Sequence, residues 1–306
     1  MSASPESEPL PAGAFDLDRL VSGESGTVAG PRARLRARFE DLIDDAALWC
    51  RFVPPRLERA AQRSARGKVH VVGLYSAALG AHMARAAMEL ERSRRRVVLA
   101  LGALDDSTGA LDGHAAALES HTVATGLRGG KFENLNALLK AASPGDADWI
   151  VVVDDDVELP RGFLDRLLFV AERFDFQLVQ PALRRTSHAA WRVCRRERWS
   201  IARRTQMVEI GPLVAIHRSI ANDLLPFPAL RMGWGLDLHW GGLARERGWR
   251  LGIVDAVPIR HELREIAARY DRQATLDEMR RFLGDGRPHI DREAALRVLE
   301  RHRSWR

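Results

Sequence analysis

The chain has 306 residues, 46% hydrophobic and 29% charged, and a formal charge of +6 from 47 basic and 41 acidic side chains. That length supports one large domain or two small ones with a full core, and 24 glycines with 14 prolines exclude a collagenous or generally disordered chain. Two distant cysteines, Cys50 and Cys194, exclude a disulfide framework or CxxC metal site; no apolar run nears the roughly 20 residues of a bilayer span, and no leader pattern opens the chain.

These features lead us to expect a soluble, cytoplasmic α/β protein. Residues 1–30 hold five serines, four glycines, three prolines and five acids against one arginine, a mix too polar to offset ordering entropy; we expect a disordered acidic tail. Without it the remaining chain carries +10. From 31 to about 50, Leu35, Phe39, Leu42, Ile43, Ala46 and Ala47 recur at three- and four-residue spacing, which predicts an amphipathic helix with Asp44 and Asp45 on its opposite side. An irregular Pro54-Pro55 stretch is expected next, so residues 31–66 read as a helical extension.

Periodicity then changes. Residues 68–74 (KVHVVGL) and 96–104 (RVVLALGAL) read as strands around a helix over 78–94, and Asp105 to Gly109 is a turn cluster. A helix over 112–120, a strand over 121–125, a loop over 126–130 and a helix over 131–142 follow. Residues 149–153 (WIVVV) form an apolar strand of the kind buried on both faces, followed by a helix over 162–173. Strands alternating with helices predict βαβ units and a mostly parallel sheet, whose ligands bind beyond the carboxyl ends of the strands.

Asp154, Asp155 and Asp156 stand at such an end. Adjacent carboxylates repel, and alternation sends Asp154 and Asp156 one way and Asp155 the other. A D-x-D pair is a hard-oxygen site suited to Mg²⁺ or Mn²⁺ shared with substrate phosphates; the plainer reading is a solvated acidic turn. Gly130-Lys131 does not complete a P-loop, because Thr125 replaces its first glycine and Phe132 its hydroxyl. A haloacid-dehalogenase-like phosphohydrolase using Asp154 and Asp156 fits the local pattern, but its nucleophile usually follows the first strand.

Five motifs in order resemble family 2 glycosyltransferases of the GT-A fold. Asp105-Asp106-Ser107-Thr108 resembles the family's DDGSTD segment without its glycine. Gly129-Gly130-Lys131-Phe132-Glu133-Asn134-Leu135-Asn136 resembles GGKxxALN, and residues 147–168 (ADWIVVVDDDVELPRGFLDRLL) resemble the donor strand, D-x-D and next helix. Gly233-Trp234-Gly235-Leu236-Asp237-Leu238 falls where the family carries an E-D pair, with Leu236 in place of the Glu. Arg247-Gly248-Trp249-Arg250 and His261-Glu262 resemble the closing segment.

The resemblance implies a Rossmann-like GT-A domain over 67–262 with helical additions at both ends. It implies metal-dependent, inverting transfer of a hexosyl group from a UDP-, GDP- or dTDP-sugar to a glycan, lipid-linked or small-molecule hydroxyl. Asp105, Asp106, Lys131, Asn136, Asp154 and Asp155 would bind the donor nucleotide. Asp156, Asp154 and His261 would hold Mn²⁺ or Mg²⁺, and Asp237 would be the general base. Glu209 and Trp234 would lie beside the acceptor.

Residues 184–204 carry eight arginines and one acid, Glu197. They suggest a phosphate-rich acceptor or peripheral contact with an anionic inner membrane face, or else an arginine-rich helix with Trp191 and Cys194 packed inward. Trp191, Trp199, Trp234 and Trp240 offer faces for sugar stacking. Nucleic-acid binding is the non-enzyme alternative, disfavoured by basic residues spread over the whole chain. Helices over 263–283 and 291–303 complete a C-terminal extension expected to be helical over 263–306.

Overall fold

The computed structural model describes residues 20, 21, 28, 30–104, 115–261 and 271–305. Helix α1 (Pro31–Cys50) has the expected bounds. Helix α2 (Val53–Ser64) carries Pro54 and Pro55 in its first turn, where their missing N–H groups break no helical hydrogen bond. The stretch expected to be irregular is therefore helical, and buries Val53, Leu57 and Ala61 at i, i+4, i+8.

Strand β1 (Lys68–Tyr75) leads through a 3₁₀ turn into α3 (Gly80–Glu91), then β2 (Arg96–Leu104). Next come α4 (Ala115–Glu119), β3 (Thr122–Leu127), α5 (Lys131–Ala141), β4 (Trp149–Val153), a short β5 (Val157–Glu158) and α6 (Phe163–Arg173). The second half holds β6 (Leu178–Leu183), β7 (Ala202–Thr205), β8 (Leu213–His217), α7 (Arg218–Leu224), α8 (Leu236–Arg247) and β9 (Leu251–His261). It ends in α9 (Arg272–Gly284), α10 (Arg292–Ala295) and β10 (Val298–His302).

Among the described residues the sheet order is β10-β7-β9-β6-β8-β4-β1-β2-β3, with β5 paired to β9 off that path. Seven of those nine strands point one way, and β7 and β8 run against them. The expected α/β architecture is the observed one. Strand β4 is buried at all five positions because β1 and β8 flank it and helices cover the sheet. Helix α5 packs on β1 and β2, α6 against β9, and α2 on α6. One core runs from Leu48 and Leu57 to Met279 and Leu283, so both terminal additions share it.

Three expectations need correction. Residues 184–204 are not a helix: a 3₁₀ turn at Arg192–Cys194 interrupts an irregular segment that leads into β7. The helix expected over 291–303 stops at Ala295, and β10 closes the sheet edge against β7 with alternating half-buried and exposed side chains. Pairing with β7 holds Val298–His302 extended against its helical propensity. Third, α1 is turned over. Asp41 and Asp44 are buried, while Leu35, Phe39 and Leu42 are 70%, 63% and 66% exposed.

The inversion follows from charge. Asp44 accepts from Arg185 Nε (2.7 Å) and pairs with Arg198, and Asp45 accepts from Arg184 (3.0 Å) and Arg196 (2.6 Å). Asp41 receives the backbone N–H of Arg185 (2.9 Å). Buried acids without those partners would be costly, so the arginine-rich segment draws the acidic face of α1 inward. Those arginines are thereby engaged within the molecule, and do not form the free basic surface their sequence suggests.

A candidate nucleotide-sugar site at the carboxyl ends of the strands

The triple aspartate leaves β4 at the edge where β1, β6 and β9 also end. The three carboxylates meet three different partners. Asp155 turns toward β1, where its Oδ2 accepts from Ser76 N–H (2.9 Å) and Ser76 Oγ–H (3.3 Å). Asp154 pairs with Lys131 Nζ at 2.6 Å, and its own N–H donates to the carbonyl of Pro212 (2.9 Å). Asp156 is buried and lies 3.2 Å from His261 Nε2. The β5–β9 register produces that contact: Val157 pairs with His261, which places the preceding Asp156 beside the imidazole.

His261 is further held by its N–H, which donates to Ser187 Oγ (3.0 Å). Burial alone would lower its pKa, but the hydrogen bond to Asp156 and the charges of Asp156, Asp154 and Glu209 outweigh burial and raise it above the ordinary value. Its Nδ1 is buried without a hydrogen-bond partner, so no structural bond competes for that ring nitrogen. A carboxylate 3.2 Å from an imidazole nitrogen can share a divalent cation once the imidazole is neutral, with the carboxylate as the hard oxygen donor. Among the described residues no three ligating side chains converge into a complete cage, so such a cation would draw its other ligands from a bound phosphate or water.

Lys131 opens α5 on the Gly129–Gly130 turn. Its N–H donates to the Arg231 carbonyl (2.6 Å), and a Cβ on Gly130 would lie 2.2 Å from Arg231 Cα, so only glycine permits this approach. Asn134 and Glu133 fix the turn through Gly129 and Gly130 N–H. Asn136, expected at the nucleotide, meets Phe227: its Nδ2 donates to the Phe227 carbonyl (2.8 Å) and its Oδ1 accepts Phe227 N–H (2.9 Å). Both halves of the amide clamp a distant loop. Gly211 lies over the Lys131–Asp154 pair; a Cβ there would fall 2.8 Å from Asp154 Oδ2 and 2.9 Å from Lys131 Nζ.

Behind this edge Glu209 and Asp237 are buried, one on the backbone and one on the indole of Trp191. Trp191 Nε1–H donates to Asp237 Oδ2 (2.9 Å), and Trp191 N–H donates to Glu209 Oε1 (2.7 Å). Asp237 Oδ1 also accepts Leu238 N–H (2.9 Å). Burial pushes Asp237 up to about 6 against these hydrogen bonds. Burial likewise pushes Glu209 up to about 7, with the Asp237 charge adding to the rise. Glu209 feels the charges of both His261 and Asp237, which links the two halves of the site.

Asp105 and Asp106 lie outside the described residues. Trp234 is half-buried between Gly233 and Gly235, whose positive φ angles form the turn into α8. Trp191 and Trp240 are buried, so neither offers a stacking face. Sequence reasoning missed Ser76, Ser187 and Gln180, whose Oε1 accepts Glu209 N–H, because each meets its partner only through the fold.

No protein-family model matches the chain, and no curated protein matches it. Solved structures do. The mannosyltransferase PcManGT from Pyrobaculum calidifontis, in complex with GDP-Man and Mn²⁺, superposes with TM-score 0.51 at 20% identity, covering 82% of this chain and 77% of that one. GalNAc-T7 with UDP, GalNAc and Mn²⁺ gives TM-score 0.49 at 13% identity over 65% of this chain and 44% of its own. A mycobacterial protein gives TM-score 0.46 at 17% identity, covering 75% and 78%. The first of these likenesses shows the GT-A fold for this chain.

Proposed function

We propose that this chain is a divalent-metal-dependent glycosyltransferase that moves a hexosyl group from a nucleoside diphosphate sugar to an acceptor hydroxyl, with inversion. The observation that carries the reading is the Asp156–His261 pair at the strand ends, coupled through Glu209 to a buried Asp237 of raised pKa. The like fold of a mannosyltransferase bound to GDP-Man and Mn²⁺ supports it. The donor is a UDP-, GDP- or dTDP-sugar, and a glycan, lipid-linked or small-molecule acceptor suits the chemistry equally.

Each side chain has a task in this scheme. Asp156 and His261 would hold Mn²⁺ or Mg²⁺, which when bound supplies positive charge against the leaving diphosphate. Asp154, paired with Lys131, would contact the donor ribose or join the metal's ligands, and Asp155, held by Ser76, would complete the donor-binding strand end. Asp237 accepts the acceptor hydroxyl proton as that oxygen forms its bond to the anomeric carbon and the bond to the diphosphate breaks. A pKa near 6 leaves most Asp237 ionised at pH 7 yet basic enough to take a proton. The Trp191 indole holds the carboxylate in place. Acceptor contacts fall to Glu209 and Trp234.

Replacing Asp237 by Asn tests the base directly. Donor-nucleotide affinity measured by calorimetry should stay within about twofold while transfer falls by about 10²-fold or more. Retained transfer would remove Asp237 from the role.

A further inference from the structure

The apolar stripe of α1 points away from the core. Leu35, Phe39, Leu42, Ala46 and Trp49 follow one another at spacings of four and three, and all are exposed, Trp49 by 58%. That stripe continues into Phe52, 61% exposed, whose ring carries the Arg56 guanidinium at 5.7 Å. Arg51 donates to the carbonyl of Trp199 (2.9 Å) and so brings a third exposed aromatic to the same end. Phe52 and Trp199 both hold φ in the left-handed region, at 53° and 68°, which large side chains rarely adopt.

We infer that this face of α1, extended by Phe52 and Trp199, docks on an anionic membrane surface. Charge selects that occupant. The first two turns carry Arg32, Arg34 and Arg38, exposed beside the stripe, while the exposed Arg36 pairs with Glu40 at 2.9 Å. The acids Asp41, Asp44 and Asp45 are turned inward onto Arg184, Arg185, Arg196 and Arg198. What remains outward is a basic, apolar helix face with aromatic residues at one end, the pattern of an interfacial helix. A second copy fits poorly: the arginines flanking the stripe would meet like charge, since the acids of α1 are already paired within each chain.

The docking face is not remote from the site. A cavity of about 840 Å³ lies between Arg34, Arg38 and Leu42 of α1 and Arg260 and His261 at the end of β9. The bilayer surface would border its mouth. The arginine-rich segment 184–198 thus serves membrane contact indirectly, by turning α1 so that its acids face in.

The test uses the full chain and vesicles of phosphatidylcholine, alone or with an equal share of phosphatidylglycerol. Co-sedimentation should occur with the anionic vesicles only, weaken with added salt, and shift Trp emission to the blue. Leu35→Gln, Phe39→Gln and Leu42→Gln together should cut partitioning about tenfold or more while melting temperature stays unchanged, because those side chains are exposed. Trp49→Ser provides a second, independent variant with the same direction of effect. Failure to sediment with anionic vesicles would overturn the inference, as would unchanged partitioning of the triple variant. A dimer seen by light scattering that the triple variant dissolves would assign the face to a second copy instead. Nucleotide binding plays no part in the assay, so either result leaves the transferase proposal standing.

Discussion

Glu209 and Asp237 keep their protons to higher pH than their solvated counterparts. Their folded pKa values, about 7 and about 6, lie above the ordinary 4.5 and 3.8. Between roughly pH 4 and pH 7 the folded chain therefore binds more protons at these sites than the unfolded chain, and their contribution to stability falls as pH rises through that window. Glu209→Gln removes the larger share. Measured by urea unfolding, the variant should gain on the wild type by about 1–3 kcal/mol between pH 4.5 and pH 8. A constant difference would mean that Glu209 is ionised in the folded protein throughout. The residues legible in sequence were those whose chemistry is local: three adjacent aspartates at a strand end declare themselves. Trp191 binds a carboxylate 46 positions away, and Ser187 a backbone N–H 74 positions away, which no spacing reveals. The Asn136 amide likewise meets Phe227, 91 positions on, a contact that its place in the motif does not announce.

Helix α1 shows how an element can be located well and oriented wrongly. Periodicity fixes its bounds at Pro31–Cys50 and finds its apolar side, but which side turns inward depends on the arginines of 184–198. The acids of one segment and the arginines of another decide it, and neither is informative alone. Asp44 is the most enclosed of those acids, 1% exposed. Asp44→Ala strips Arg185 and Arg198 of a shared partner, and should destabilise the protein by about 1–3 kcal/mol. It should also speed proteolysis within α1, read by mass spectrometry. An unchanged cleavage rate would show that the helix is docked by packing rather than charge. At the other terminus β10 was hidden because Val298–His302 reads as a weak strand alone; its pairing with β7 makes it one.

At the scale of the molecule, the order of strands and helices to β4 follows closely from alternating patterns, and the fold reached is the GT-A fold. The sheet's second half was less legible. Strand β8 inserts between β4 and β6, and β5 joins β9, through pairings set by long-range contacts. That half nonetheless completes the site: without β9 there is no His261 beside Asp156. The proposed function requires this junction to hold a metal and a nucleoside diphosphate together. Thermal unfolding of the wild type and Asp156→Ala with UDP, GDP, dTDP or CDP, each with and without Mn²⁺, tests it most directly. A nucleotide at about 100 times its Kd adds roughly 2.7 kcal/mol, a readily measured rise in Tm. One nucleotide should raise the wild-type Tm only when Mn²⁺ is present, and Asp156→Ala should abolish the rise. A wild-type protein indifferent to all four, or a variant that keeps the full metal-dependent shift, would contradict it.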